Sequence, residues 1–90
     1  MSNLIRIENW YPPFGLVEAL TGDVYGHPRF PEGHFVRTSK IVGFEIDGSV
    51  VLTKSGSRYI LGEPAQALTI HNPHARLDYI ISLRKHFHGA

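Results

Sequence analysis

The Asp-Gly dipeptide at residues 47–48 constrains the fold of this chain more than any other feature. It separates two apolar runs, "IVGFEI" and "SVVLTK", and Asp-Gly between such runs is the strongest short signature of a β-hairpin. A two-residue loop here places Phe44 opposite Val51 and Val42 opposite Thr53, because loop length fixes the register. The sequence therefore predicts two antiparallel strands that meet at this turn.

A second turn signal, Ser-Gly at residues 55–56, follows one strand later. Read as another two-residue loop, it places Val51 opposite Ile60 and Leu52 opposite Tyr59. The resulting three-stranded meander carries apolar side chains on both faces, whereas a flat sheet with one solvated face would alternate. We therefore expect a sheet that curls on itself and is covered in part by another element.

The first third of the chain contains two further candidate strands. The run "NLIRIENW" ends before Pro12 and predicts a short strand, since proline cannot donate to a ladder. Residues 16–25 fit two alternatives: their first apolar residues share one face of a helix, whereas Val24 and Tyr25 prefer an extended chain. The strand interpretation is preferred.

The motif "FPEG" at residues 30–33 predicts a chain reversal. Pro31 in its second position and Gly33 in its fourth are typical of a type I turn followed by a left-handed glycine. We therefore expect residues 34–46 to return as one strand, so that the β meander covers residues 16–62.

The C-terminal segment predicts a helix over residues 73–87. Asn72 is a favoured N-cap, and Pro73 suits the first helical position because its missing N–H costs nothing there. One helical face carries the apolar stripe Leu77, Ile80, Leu83 and Phe87. We therefore predict a single α+β domain over residues 1–90: a small, strongly curved antiparallel β-sheet, SH3-like or a partial barrel, with a C-terminal α-helix.

Composition narrows the classes of function. The chain has no cysteine, which excludes disulfides, thiolate metal ligands and cysteine nucleophiles and suits a reducing cytoplasm. Its net charge is only +1, so no global field attracts nucleic acid or anionic lipid. The sequence shows neither a signal peptide nor a run of about 20 apolar residues. We expect a cytoplasmic protein that does not contact a membrane.

The six histidines do not predict a metal site. His71 and His74 lie near one end of the predicted helix and His86 and His88 near the other, about 20 Å away at 1.5 Å per residue. Zinc needs three or four ligands at one point, so exposed histidines are the expected interpretation. The serines match no nucleophile motif, and no phosphate-binding loop is present. We expect no catalytic residue, no metal, no cofactor and no enzymatic activity.

A partner-binding surface has more support. Cations concentrate between residues 29 and 58 with aromatic residues interleaved, a combination found at protein and nucleic-acid interfaces. The predicted partner-binding residues are His27, Arg29, Phe30, Arg37, Lys40, Lys54, Arg58 and Tyr59. The alternative is that these cations protect strand edges and keep the chain soluble.

From Leu20 to Gly62 the chain carries the pattern L-T-G-D-V-Y-G-H-P-R-F-P-E-G, then V-R-T-S and I-V, and later V-V-L-T-K-S-G-S-R-Y-I-L-G. This pattern resembles a group of short proteobacterial, phage and mobile-element proteins without an assigned activity. The resemblance implies a compact accessory protein that acts by occluding a host macromolecule, as anti-CRISPR and other anti-defence inhibitors do.

These observations favour a non-enzymatic binding protein whose partner is a host protein. The alternative is a small β-barrel that binds nucleic acid, because cations and stacking rings on a curled sheet bind single strands. Homodimerisation through Leu83, Phe87 or an open sheet edge is a further expectation.

Overall fold

One mixed sheet and a C-terminal helix make up the structure, a computed structural model that describes residues 4–13, 15 and 17–88. Its elements are β1 (Leu4–Tyr11), β2 (Thr21–Tyr25), β3 (His34–Arg37), β4 (Ile41–Glu45), β5 (Val50–Thr53), β6 (Arg58–Leu61), α1 (Gln66–Thr69) and α2 (Ala75–His88). The strands form a six-stranded sheet in the order β3-β2-β1-β6-β5-β4. The predicted α+β class with a C-terminal helix is confirmed.

Two three-stranded meanders build the sheet. Strands β1, β2 and β3 pair antiparallel in chain order, and so do β4, β5 and β6. The meanders join where β1 and β6 run parallel, with Leu4 opposite Arg58 and Ile7 opposite Leu61. The prediction of an all-antiparallel sheet is therefore wrong at its centre, because this long-range pairing is not set by any local turn.

The two edge strands, β3 and β4, are connected by only residues 38–40. The predicted single returning strand is thus divided between opposite edges of the sheet. The Thr38 N–H donates to the Leu20 carbonyl at 2.8 Å, and the Ile41 N–H donates to the Val17 carbonyl at 2.9 Å, which holds this connection against the segment before β2. So short a connection requires a strongly curved sheet. The described strands do not close into a barrel, and the SH3-like prediction is not confirmed.

The hairpin between β4 and β5 has the predicted turn. Phe44 lies opposite Val51, as a two-residue loop requires. A bulge at Val42 then shifts the register by one residue, so that Thr53 lies opposite Ile41. Because a bulge inserts one unpaired residue, the turn alone could not predict this shift.

The hairpin between β5 and β6 has a loop one residue longer than predicted. The Gly56 N–H donates to the Thr53 carbonyl at 2.9 Å, and Gly56 is left-handed with φ 93°. Val51 therefore lies opposite Tyr59 rather than Ile60. Since a shift of one residue exchanges the two faces of a strand, Tyr59 points into the core and is only 5% exposed.

The loop before β3 reverses the chain close to the predicted position. Gly33 is left-handed with φ 78°, as expected, but the hydrogen-bonded turn lies one residue later than predicted, because the His34 N–H donates to the Pro31 carbonyl at 3.1 Å. Of the ambiguous residues 16–25, the last five form β2, and Leu16 lies outside the described residues.

Helix α2 covers the inner face of the sheet. The side chains that join the core are Tyr79, Ile80, Leu83 and, partly buried, Phe87. Tyr79 joins the core instead of the predicted Leu77, and Leu77 is 52% exposed. Leu83 is fully buried and is not open for the predicted dimer contact, whereas Phe87 is partly buried and packs against Phe44 at 6.3 Å between ring centroids.

The start of α2 lies later than predicted. Regular helix begins at Ala75, although the side chain of Asn72 accepts the His74 N–H at 3.0 Å in a capping interaction. The short helix α1 precedes it and was not predicted. The last residue of α2, His88, lies one position after the predicted end. No helix in the described part of the chain is long and apolar enough to cross a membrane.

Candidate functional site

The loop between β2 and β3 is held in one conformation by its own hydrogen bonds. The Gly26 N–H donates to Oε1 of Glu32 at 2.7 Å, and the Arg29 N–H donates to Nδ1 of His27 at 2.9 Å. Because this loop also contains Pro28 and is ordered before any partner arrives, its side chains can bind at a lower entropic cost.

Three rings stack on this loop. The Phe30 ring lies 4.7 Å from the ring of His27 and 4.7 Å from the ring of His34, and it is parallel to His34. We term these three residues the loop stack. Phe30 is 39% exposed, and Phe35, the next residue of β3, is 61% exposed. Rigid rings at a surface provide large apolar contact area with little loss of side-chain freedom.

The surroundings of His27 displace its titration. Burial lowers the pKa of His27 below its usual value, and the nearby positive charge of Arg29 and of His34 lowers it further. Since Nδ1 of His27 accepts the Arg29 N–H, the neutral ring carries its proton on Nε2. The stack is thus uncharged at His27 in neutral solution.

A second group of predicted residues lies where β3 ends. The Lys54 N–H donates to the Lys40 carbonyl at 2.8 Å, which joins the connection after β3 to the turn between β5 and β6. Arg37 ends β3 three positions earlier, and all three side chains are exposed. We term Arg37, Lys40 and Lys54 the cationic corner. Among the described residues, none of the three forms an ion pair.

Hydroxyl groups hold the cationic corner together. The Oγ atoms of Ser39 and Ser55 lie 3.1 Å apart, and the Ser55 N–H donates to Oγ of Ser39 at 3.0 Å. Thr53 Oγ1 lies 3.3 Å from the Ser55 hydroxyl and donates to the Ser57 carbonyl. These serines act as turn residues that fix the backbone beneath the two lysines.

Two predicted residues do not belong to either group. Arg58 forms an ion pair with Glu45, with 2.8 Å between Nε and Oε1, so its charge is already partnered. Tyr59 is a core residue, which corrects its prediction as a surface ring. Its burial raises the pKa of the phenol, and a hydrogen bond with Ser57 opposes this in part.

The structure therefore divides the predicted site into two parts. The loop stack and Arg29 lie at the start of β3, whereas the cationic corner lies at its end. Strand β3 has four residues, so at 3.3 Å per residue the two parts lie about 10 Å apart. Within one chain they are neighbouring patches rather than one surface.

Two residues of this region are not among the predicted partner-binding residues. His34 completes the loop stack, and Phe35 adds the most exposed ring beside it. The sequence holds a signal for Phe35, because strand residues alternate between faces and Val36 is the apolar residue that faces the core. Nothing in the sequence indicated the packing of His34 on Phe30.

A cleft elsewhere on the described surface is lined by none of the predicted partner-binding residues. This open, mainly apolar cleft lies between Pro12, α1 and α2, where Nδ2 of Asn72 donates to Asp78 at 2.8 Å. Among the described residues, no three His, Asp or Glu side chains are placed to hold a metal ion.

Comparison with known proteins finds no match for this chain. No family model matches this chain, and no curated protein and no solved structure matches it. The resemblance noted in the sequence stays a prediction.

Proposed function

We propose that this chain is a non-enzymatic binding protein and that its partner is another protein. The observation that carries this proposal is the loop stack, a preassembled and partly exposed set of rings with Phe35 and Arg29 beside it. Aromatic and arginine side chains in a rigid frame are the usual anchors of protein interfaces.

A protein partner fits these residues better than nucleic acid does. Tyr59 is buried and Arg58 is paired with Glu45, so two of the predicted nucleic-acid contacts are already used within the chain. The net charge of +1 adds no long-range attraction to phosphate. The exposed rings of Phe30 and Phe35 provide apolar area that buries well against another protein.

The biological role we propose follows the resemblance of the central segment to phage and mobile-element proteins. A small protein with a rigid apolar surface can inhibit a host defence protein by covering its working surface, in the manner of anti-CRISPR inhibitors. The absence of cysteine fits action in the reducing cytoplasm, where such a target would be found.

The test is capture of the partner from a nuclease-treated lysate of the native host by the immobilised chain. The variant Phe30→Ala removes the central ring of the loop stack and should reduce the captured protein at least tenfold, since interface anchors cost about 2 kcal/mol or more on truncation. The matched control is Ile70→Ala, because Ile70 is 69% exposed but lies beyond α1. Equal loss in both variants, or none in Phe30→Ala, would reject the loop stack as the binding surface.

Nucleic-acid binding is the second candidate, and the cationic corner favours it. Arg37, Lys40 and Lys54 are exposed, and no carboxylate in the described part of the chain pairs with them, which leaves them available for phosphate. If this candidate is right, single-stranded DNA will bind with an affinity that falls steeply with salt, and Arg37→Ala with Lys54→Ala will reduce that dependence by about two phosphate contacts. If the affinity for single-stranded DNA changes neither with salt nor with the two substitutions, nucleic-acid binding through the cationic corner is rejected.

A further inference from the structure

Among the described strands, β3 lies at one edge of the sheet, and some of its backbone groups face away from β2. The Thr38 N–H donates to the Leu20 carbonyl, and the register between β2 and β3 is continuous from this point. Since hydrogen-bonded residues alternate along an antiparallel strand, Val36 points its N–H and C=O groups at β2, whereas the His34 N–H donates to the Pro31 carbonyl in the preceding turn. The corresponding groups of Phe35 and Arg37 therefore point away from the sheet.

The other edge strand, β4, is less regular than β3. Strand β4 contains the bulge at Val42, which interrupts regular pairing, and α2 packs against it. Bulges and covering elements are the usual means by which a sheet edge is prevented from pairing further. Among the described strands, β3 is the edge with an uninterrupted ladder.

The free edge of β3 is complementary to itself. In a two-fold antiparallel pairing centred on Val36, Phe35 of each copy lies opposite Arg37 of the other, and each such pair exchanges two backbone hydrogen bonds. The two side chains share the outer face of the sheet, because they are two positions apart on one strand. Each guanidinium would then lie against the exposed ring of Phe35.

The same type of pair already exists inside the chain. Arg6 and Tyr25 are register partners between β1 and β2, and the Arg6 guanidinium lies 4.5 Å from the centre of the Tyr25 ring. Tyr25 is on the same face as Phe35, because Asp23, two residues earlier in β2, is the partner of Phe35. The outer face thus accommodates cross-strand contacts between arginine and aromatic rings.

From this geometry we propose that the chain forms a two-fold homodimer in which β3 pairs antiparallel with β3 of a second copy, continuing the sheet across both chains. The antiparallel direction places the loop stack of one copy beside the cationic corner of the other. The two patches that β3 separates in a single chain are then joined across the dimer. This consequence, unlike the dimer itself, rests on the proposed function.

The test is the mass of the chain in solution over a concentration series, measured by sedimentation equilibrium. The mass should rise from 10.1 kDa toward twice that value. Phe35→Arg places two like charges opposite each other and should hold the mass at the monomer value, and Arg37→Phe should weaken the dimer. The double variant Phe35→Arg with Arg37→Phe exchanges the two partners and should restore it. Val42→Arg, at the other edge, should change nothing.

A disulfide checks the register independently, because the natural chain contains no cysteine. In the proposed pairing, Val36 of one copy lies opposite Val36 of the other, at a position where the two residues exchange no backbone hydrogen bonds. The two Cα atoms of such a pair are about 4.5 Å apart, a distance that suits a disulfide. Val36→Cys should cross-link on mild oxidation, and Val42→Cys should not. Circular dichroism of each variant separates loss of pairing from loss of folding.

Distinct results would overturn the dimer and the proposed function. A wild-type mass that stays at the monomer value up to millimolar concentration rejects the dimer, and so does a dimer that persists in Phe35→Arg. If folded Phe35→Arg is monomeric yet captures the partner as well as wild type, then the shared surface is rejected while the dimer and the loop stack stand. A dimer that captures nothing rejects the proposed function alone.

Discussion

The indole ring of Trp10 lies 5.4 Å from the ring of Tyr79, measured between centroids and tilted by 49°. This contact joins β1, near the centre of the sheet, to α2. The indole Nε1 also donates to the carbonyl of Gly62 at 2.9 Å, directly after β6. One fully buried side chain therefore connects the helix to both strands of the parallel pair.

Trp10→Phe should lower the free energy of unfolding by about 2–4 kcal/mol. The smaller ring leaves a cavity against Tyr79, and the Gly62 carbonyl loses its partner. Urea unfolding followed by circular dichroism measures the change. Tyr11→Phe is the control, because Tyr11 is 43% exposed and its loss of a hydroxyl should cost less than about 0.5 kcal/mol. Equal stabilities of the two variants would contradict this account of the core.

Gly48→Ala should destabilise the chain by about 2–5 kcal/mol, because two costs add. Gly48 has φ 98°, and a Cβ there would lie 2.7 Å from Cγ2 of Ile80 on α2. Gly56→Ala isolates the backbone cost, since Gly56 has φ 93° but no atom within 4 Å of an added Cβ. It should cost only about 1–2 kcal/mol. The difference between the unfolding free energies of the two variants measures the contact between α2 and the turn that joins β4 to β5.

Thr38→Val should cost about 1–3 kcal/mol, although the two side chains have the same shape. Oγ1 of Thr38 accepts the Leu20 N–H at 3.0 Å and donates to the Ser39 carbonyl at 2.8 Å, and valine leaves both groups unsatisfied in a buried position. Thermal unfolding measures the loss. Thr69→Val should be nearly neutral, because the Thr69 hydroxyl donates to the exposed carbonyl of Gln66. A larger loss in Thr69→Val than in Thr38→Val would contradict the proposed role of the Thr38 hydroxyl.

His27 should make stability fall in mild acid. Its pKa in the folded chain lies below the usual value of 6.5, first because of burial and then because of Arg29 and His34. Above about pH 6.5 neither state binds the proton and this residue has no effect. As the pH falls through 6.5, the unfolded chain takes up the proton first, so the free energy of unfolding decreases until the folded chain also binds it.

An NMR titration of the imidazole protons checks this directly. The midpoint of His27 should lie below 6.5, and Arg29→Ala should raise it part of the way, since burial is the larger cause. His27→Gln should lose less stability than wild type between pH 7.5 and pH 5. A midpoint at or above 6.5 would be inconsistent with the stacked arrangement.

Local signals in the sequence predicted the hairpins, and nothing local predicted how the two halves join. The Asp-Gly turn correctly placed Phe44 opposite Val51. Leu4 and Arg58 pair across most of the chain, and no turn, cap or periodicity marks such a contact. The same limit explains why Leu77 rather than Tyr79 was expected in the core: the face that α2 buries depends on where Trp10 lies.

The candidate site shows how a small local error becomes a functional one. Treating the loop after Thr53 as two residues rather than three moved Tyr59 from the core to the surface and added a ring to the predicted interface. The turn next to Phe30 lies within one residue of its predicted position, because Pro31 and Gly33 favour a turn there. The stacking of Phe30 with His34 depends on side-chain packing that spacing alone does not encode.

The parallel contact of β1 with β6 also orders events during synthesis. The N-terminal strand leaves the ribosome early, but the strand that lies beside it is completed only after residue 61 has emerged. Until then the nascent chain exposes Ile5 and Ile7 on a strand with one open side. We therefore expect the hairpins of the two meanders to form early. The pairing of β1 with β6 should then limit the rate of folding, on the millisecond-to-second scale of proteins with many non-local contacts.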